Sequence, residues 1–211
     1  MKTYALVGRN ISYSFSRRYF AEKFAKEQIT DCEYINFDIP YIEELPALIA
    51  ATPTLAGMNV TIPYKEAVLP LLDLQSEALM AIKACNTIKI LPSGKLKGDN
   101  TDYIGFRNSL IPYLQPHHNR ALILGTGGAS KAVAFALSQL GISFLLVSRE
   151  SSAIAISYDE LTKEIIENHS LIINTTPLGT FPKTEAFPPI PYQWITSQHL
   201  LYDLIYNPER T

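Results

Sequence analysis

Short runs of β-branched and aromatic residues alternate along the chain with longer stretches of helical period, the pattern of an α/β protein with mostly parallel strands. Thr3 to Gly8 predicts a first strand. The segment from about Ser16 to Lys26 spaces Tyr19, Phe20 and Phe24 for a helix, which Ser14 or Ser16 can cap. Cys32 to Ile39 reads as a strand, Ile42 to Ala51 as a helix, Gly57 to Thr61 as a strand and Glu77 to Ile82 as part of a helix. Thr87 to Ile90 and Lys95 to Lys97 flank Pro92-Ser93-Gly94, a hairpin turn.

A new βαβ pattern begins near Arg120. Ala121 to Leu124 is a short buried strand, Gly125 to Gly128 a glycine turn, Ala129 to Leu140 an alanine-rich helix ended by Gly141, and Ile142 to Ser148 the next strand. That succession is a Rossmann-type half. Tyr158 to Glu167 then reads as helix, and Leu171 to Asn174 and Leu200 to Leu204 as strands. Pro177 to Pro191 is too rich in proline for regular structure.

Composition narrows the class. At roughly 150 residues per domain, 211 residues allow one large domain or two small ones. Eighteen basic against 20 acidic residues leave a formal charge of −2, which gives no electrostatic case for nucleic acid or an anionic membrane. No stretch approaches the roughly 18 apolar residues of a membrane span, and the first residues run straight into a strand pattern. Cys32 and Cys85 have no CxxC partner, so neither a metal site nor a disulfide framework is supported. The expected compartment is a reducing cytoplasm.

Two sets of residues carry candidate chemistry. In LILGTGGASKAV, Gly125, Thr126, Gly127, Gly128, Ala129 and Ser130 join a strand to a helix whose first N–H groups can meet a diphosphate. The third fingerprint position, 130, is serine rather than glycine or alanine. At the end of the second strand the acid that holds a ribose 2′-hydroxyl is missing. Ser148 stands there, followed by Arg149, which suits a 2′-phosphate and favours NADP over NAD; Glu150 is a counter-signal. The second set is polar and lies at element ends in the first half: Ser14, Ser16, Asn59, Thr61, Lys65, Asn86, Thr101 and Asp102. Singly each is an ordinary surface group or cap. Together, hydroxyls and amides with one lysine and one aspartate suit a polyhydroxylated small molecule and a proton transfer.

GMNVTIPYKE, ACNTI, LKGDNTDYIGF, LILGTGGASKAV, IINTTPLG and YDLIYNP, in this order and spacing, resemble shikimate dehydrogenase across essentially the whole chain. The resemblance implies an α/β enzyme of two domains, a substrate domain over residues 1–102 and a Rossmann-like cofactor domain over 103–211, with the active site in the cleft between them. It implies reversible NADPH-dependent reduction of 3-dehydroshikimate to shikimate in aromatic amino-acid and chorismate biosynthesis. Carried over by position, Lys65 is the general acid/base and Asp102 its partner. Ser14, Ser16, Asn59, Thr61, Asn86 and Asp102 hold the substrate, and Tyr206 closes over it. The turn from Gly125 to Ser130, with Ser148 and Arg149, holds the cofactor, with Thr176 and Leu204 near the nicotinamide and Glu77 at the cleft. No metal is required.

The sequence departs from the family pattern in three places. Phe15 and Arg17 replace a common lysine and proline. ESSAIAISYDE after Arg149 lacks a second basic residue. The family also continues past YDLIYNP with an Asn-Gly turn, a Met-Leu pair and a Gln-Ala pair on a closing helix, whereas this sequence reaches Thr211. Without that segment, uncovered apolar surface and the loss of one substrate hydrogen bond are expected. Two other readings are an NAD-dependent quinate/shikimate dehydrogenase and a ligand-binding module without turnover. The sequence allows a monomer or a homodimer.

Overall fold

The computed structural model describes residues 1–12 and 14–208; the closing Glu209, Arg210 and Thr211 lie outside them. The chain divides into two compact units, Met1–Thr101 and Asp102–Thr211.

The first unit is built on β1 (Lys2–Gly8), α1 (Phe15–Lys26), β2 (Cys32–Asp38), α2 (Leu45–Ala51), β3 (Leu55–Val60), β4 (Leu74–Gln75), α3 (Glu77–Ile82), β5 (Thr87–Ile90) and β6 (Leu96–Asp99). Its six strands run in the order β2-β1-β3-β5-β6-β4. The pairs β1–β2, β1–β3 and β4–β6 are parallel, and β3–β5 and β5–β6 antiparallel. Alternate residues of β1 face opposite sides of the sheet. Ala5 and Val7 enter a core with Met58, Val60, Leu79 and Ile88. Leu6 joins Ile11 and Tyr34 under Phe20 and Phe24 of α1. The Pro92-Ser93-Gly94 turn closes the β5–β6 hairpin, with Gly94 at φ +81° and the Leu91 N–H donating to the Lys95 carbonyl.

The second unit comprises α4 (Asp102–Leu110), β7 (Arg120–Leu124), α5 (Gly128–Gln139), β8 (Ser143–Ser148), β9 (Ala155–Ser157), α6 (Lys163–Asn168), β10 (Leu171–Asn174) and β11 (Leu200–Asp203). Its strands form an all-parallel sheet in the order β11-β10-β7-β8-β9. Such a sheet is buried on both faces, and β7 and β10 accordingly read as continuous apolar runs, buried at nearly every position. One face packs Ala121, Ile123, Leu171 and Ile173 against Val133 and Leu137 of α5 and Phe106 and Leu110 of α4. The other packs Leu122, Leu124 and Ile172 against Leu161, Ile166 and Ile190.

Several elements differ from the sequence expectation. The segment from Ile42 to Ala51 starts as a 3-10 turn over Ile42–Glu44 before α2, because Pro46 fits only the first helical turn. Tyr158 to Glu167 divides into a 3-10 turn over Tyr158–Glu160 and α6, because Thr162 caps a new helix by accepting from the Ile165 N–H. Three elements had no sequence signal of their own: α4, the two-residue β4 and the three-residue β9. Among the described residues, no helix is long and apolar enough to cross a membrane.

Candidate functional site

In the first unit the polar candidates gather at the ends of strands. The Asp38 carboxylate, at the end of β2, accepts the N–H groups of Asn10 at 2.7 Å and Ile11 at 3.1 Å, which fixes the turn after β1. Gly8 allows that turn to close on β3: a Cβ there would lie 2.7 Å from Thr61 Cγ2. Thr61 in turn donates its N–H to the Val7 carbonyl. From this turn the chain enters α1, where Ser14 is the N-cap and accepts the Ser16 N–H at 3.2 Å. Of the two serines the sequence left open as caps, Ser14 takes the role, and Ser16 sits in the first helical turn. Beneath the turn, Asn36 donates to the Ile11 carbonyl while its own carbonyl oxygen is buried with no partner.

A second group forms around Asn86, 8% exposed. Its Oδ1 accepts from the Thr101 N–H at 2.9 Å and from the Thr87 hydroxyl at 3.0 Å, and its Nδ2 donates to Thr101 Oγ1 at 3.0 Å. Asn59, opposite Thr87 in the β3–β5 ladder, directs its Nδ2 at the Asn86 carbonyl and Thr87 Oγ1, both at 3.4 Å. Lys65 is brought to the same place through its backbone, whose carbonyl accepts the Cys85 N–H at 2.6 Å. The cis Ile62-Pro63 bond lies between Thr61 and Lys65. Asn59, Thr61, Lys65 and Asn86 are thus joined by short links within one unit. Asp102 directly follows Thr101 and opens α4. Sequence reasoning named Thr101 but gave it no role. Its bidentate pairing with Asn86 spans fifteen residues, a separation no local pattern reveals. Burial pushes the Cys85 thiol up, so it remains protonated beside this cluster.

In the second unit the glycine turn has the form its sequence implies. Gly125 has φ +112°, and a Cβ on it would stand 2.8 Å from Thr175 Oγ1. Gly127 is the N-cap of α5 and receives no side-chain cap. A Cβ there would meet nothing within 4 Å. The N-terminus of this twelve-residue helix thus has no side-chain cap, and the space beside Gly127 is open. Ser130 is 1% exposed and donates its hydroxyl to the Gly127 carbonyl at 2.7 Å. A small residue is required there, and serine also ties the turn to the helix. Gly128 and Ala129 begin α5, and Thr126 is exposed. At the end of β8 the Ser148 hydroxyl donates to the Glu150 carbonyl, leaving the Arg149 side chain exposed.

The neighbouring strand ends are equally ordered. Thr176 donates both its N–H, at 3.0 Å, and its hydroxyl, at 2.6 Å, to Asn174 Oδ1. Asn174 Nδ2 donates to Asp203 Oδ1 at 3.2 Å. Leu204 bonds the Asn174 carbonyl through its N–H and packs its side chain into the α5-side core. Tyr206, just beyond, is 73% exposed. A cavity of 680 Å³ opens on the face of β7, β10 and β11 away from α5, lined by Leu124, Ile172, Asn174, Tyr192, Leu201 and Asp203. Glu77 belongs to the first unit, exposed in the first turn of α3, where its charge complements the helix N-terminus.

An all-parallel sheet with an uncapped glycine turn at its central strand, preceded by a unit that gathers amides, hydroxyls and a lysine, is the construction of a two-domain dinucleotide-dependent oxidoreductase. A family model described as shikimate dehydrogenase substrate binding domain matches residues 6–88. The NADP(+)-type shikimate dehydrogenase of Methanosphaera stadtmanae is 35% identical over 98% of this chain and 78% of its own length. That of Clostridium beijerinckii is 38% identical over 100% and 80%. Shikimate dehydrogenase 1 from Peptoclostridium difficile superposes with a TM-score of 0.83 at 34% identity, covering 100% of this chain and 80% of that one. The enzyme from Thermus thermophilus, solved in complex with NADP(H) and shikimate, superposes with a TM-score of 0.83 at 29% identity, covering 99% and 80%. The chain belongs to the shikimate dehydrogenase family.

Proposed function

We propose that this protein catalyses the reversible, NADP-dependent interconversion of 3-dehydroshikimate and shikimate. Residues 1–102 bind the substrate and residues 103–211 the cofactor. The observation that supports this reading is that the Lys65 backbone is bonded to Cys85, directly before Asn86, which Asn59 and Thr101 bond, so that a lysine belongs to the same group of amides and hydroxyls.

The cofactor-binding residues fit NADP. The open N-terminus of α5 suits the diphosphate, and Arg149, with no acid at position 148, suits a 2′-phosphate. When bound, NADPH supplies the hydride that reduces the ketone carbon. Lys65 Nζ donates the proton that the developing alkoxide requires, and in the reverse direction takes it back from the hydroxyl. Asp102 aims the ammonium. Ser14 and Ser16 hold the carboxylate end of the substrate, and Asn59, Thr61 and Asn86 orient its hydroxyls. Thr176 and Leu204 border the nicotinamide, and Tyr206 closes over the substrate. The departures at Phe15 and Arg17 adjust the carboxylate end without removing either serine.

Initial rates of nicotinamide reduction with shikimate, run in parallel with NADP and NAD, test this. Turnover with NADP is expected. Lys65→Ala should lose most of the turnover while retaining shikimate affinity within a few fold. Retention of turnover by that variant would remove Lys65 from its assigned role.

A further inference from the structure

The candidate site rests on a residue that neither the sequence motifs nor the proposed chemistry includes. Tyr34 lies on β2, 8% exposed, with its ring stacked on Phe20 of α1 at 4.4 Å between centroids and 12° between planes. In the ladder Tyr34 pairs with Tyr4 and Asn59 with Leu6, so both project from the same side of the sheet, one on each side of β1. The Tyr34 hydroxyl reaches over β1 and donates to Asn59 Oδ1 at 2.8 Å, the shortest bond that side chain makes.

An amide has a donor end and an acceptor end of nearly equal shape, and a ligand hydroxyl reads the difference. A phenol held protonated by burial donates, so it fixes the carbonyl end of Asn59 and turns Nδ2 the other way. The two contacts of Nδ2 lie at 3.4 Å, near the outer limit for an N–H···O bond. They leave it able to donate to an incoming oxygen at shorter range.

We infer that Tyr34 is a positioning residue: through its bond to Oδ1 it holds Asn59 as a hydrogen-bond donor toward a hydroxyl of the bound substrate. This rests on the reading of Asn59 as a substrate contact. Tyr34 also packs against α1, and that role belongs to its ring. The positioning role belongs to one oxygen atom.

The test uses Tyr34→Phe, which keeps the ring and removes that oxygen, with shikimate binding followed by calorimetry and turnover by initial rates. Shikimate Kd and KM should rise about five- to tenfold, the scale of one neutral hydrogen bond. The kcat and the KM for NADP should stay within about twofold, since neither Lys65 nor the cofactor turn is touched. In an Asn59→Ala background the same change should add nothing, because the two residues act as one unit. Asn59→Asp gives an independent reading: its carboxylate still accepts from Tyr34 but cannot donate, so it should weaken binding at least as much as Tyr34→Phe. Unchanged shikimate affinity in Tyr34→Phe, or an equal loss in the Asn59→Ala background, would overturn the inference. If the parent protein binds shikimate without turning it over, the catalytic reading fails, and the Kd series still decides the role of Tyr34. If the parent protein does not bind shikimate, both fall.

Discussion

Two glycines two residues apart, Gly125 and Gly127, do different work. Gly125 occupies the left-handed region, and the atom a Cβ would strike, Thr175 Oγ1, is itself committed to the Leu124 carbonyl at 2.6 Å. Gly125→Ala should therefore destabilise the protein by about 1–3 kcal/mol, the scale of a strained non-glycine position, as measured by chemical denaturation. Gly127 has an ordinary φ of −82° and open space around it. Gly127→Ala should leave stability within about 1 kcal/mol but fill the space in front of the α5 N-terminus, raising the KM for NADP. An unchanged KM for NADP in a folded Gly127→Ala variant would mean that the diphosphate does not bind at this turn. The sequence revealed this turn because strand, glycines and helix are contiguous. It also revealed Asn59, Lys65 and Asn86 as residues, through motifs. Tyr34 escaped notice, and Thr101 was named without its link to Asn86, because their bonds to Asn59 and Asn86 span 25 and 15 residues.

At the scale of elements, α3 shows how one serine couples a short helix to the candidate site. Ser76 caps α3 by accepting the Leu79 N–H at 3.1 Å, and donates its own proton to Asp99 Oδ1 at 2.6 Å. Asp99 also accepts the Asn100 N–H at 2.7 Å, directly before Thr101. Ser76→Ala removes the cap and one bond to a charged acceptor, with an expected cost of about 1–3 kcal/mol. Ser76→Thr, which keeps the hydroxyl that caps α3 and bonds Asp99, should recover most of the loss. Denaturant midpoints for the two variants check this. Strong apolar runs and cap signals were legible: β5, β10 and α3 fall where the pattern puts them. Residues 102–110 were not, because Gly105 and the polar Arg107, Asn108 and Ser109 dilute the period of Tyr103, Phe106 and Leu110. The edge strands β4 and β9 are too short to show any alternation, and only pairing with β6 and β8 defines them.

At the scale of the whole molecule, the charge chemistry of the two units differs. All four histidines of the chain fall in the second unit, in the segments that lead into β7, β10 and β11, the strand ends opposite the glycine turn. His118 accepts the Gln115 N–H at Nδ1, 2.9 Å away, so its proton sits on Nε2, which donates to the Gln198 carbonyl at 3.3 Å. His117 makes a 3.0 Å contact to that same carbonyl, and its ring centroid lies 4.2 Å from that of His118. His199 accepts the Thr196 N–H and bonds the Ile166 carbonyl. Burial, and then the neighbouring His117 and His199, hold the His118 imidazole below its usual 6.5, against the opposing pull of the Gln198 carbonyl. A proton on Nδ1 would also displace the Gln115 N–H. Because the folded pKa is depressed, the unfolded chain binds this proton first as the pH falls. The stabilisation is therefore complete above about 6.5, declines as the pH drops below that value, and levels off once the pH passes the lower folded value. His118→Gln, which cannot take up a proton, should flatten the unfolding free energy across this window, measured by urea denaturation at several pH values. If the variant keeps the slope of the parent protein, the acid sensitivity arises from other groups. Shikimate affinity at neutral pH should be the same in His118→Gln and the parent, because His118 bonds Gln115 and Gln198, neither of which is assigned to the substrate. Gly127→Ala, Ser76→Ala and His118→Gln thus each separate one property, cofactor binding, helix anchoring or acid stability, from the other two.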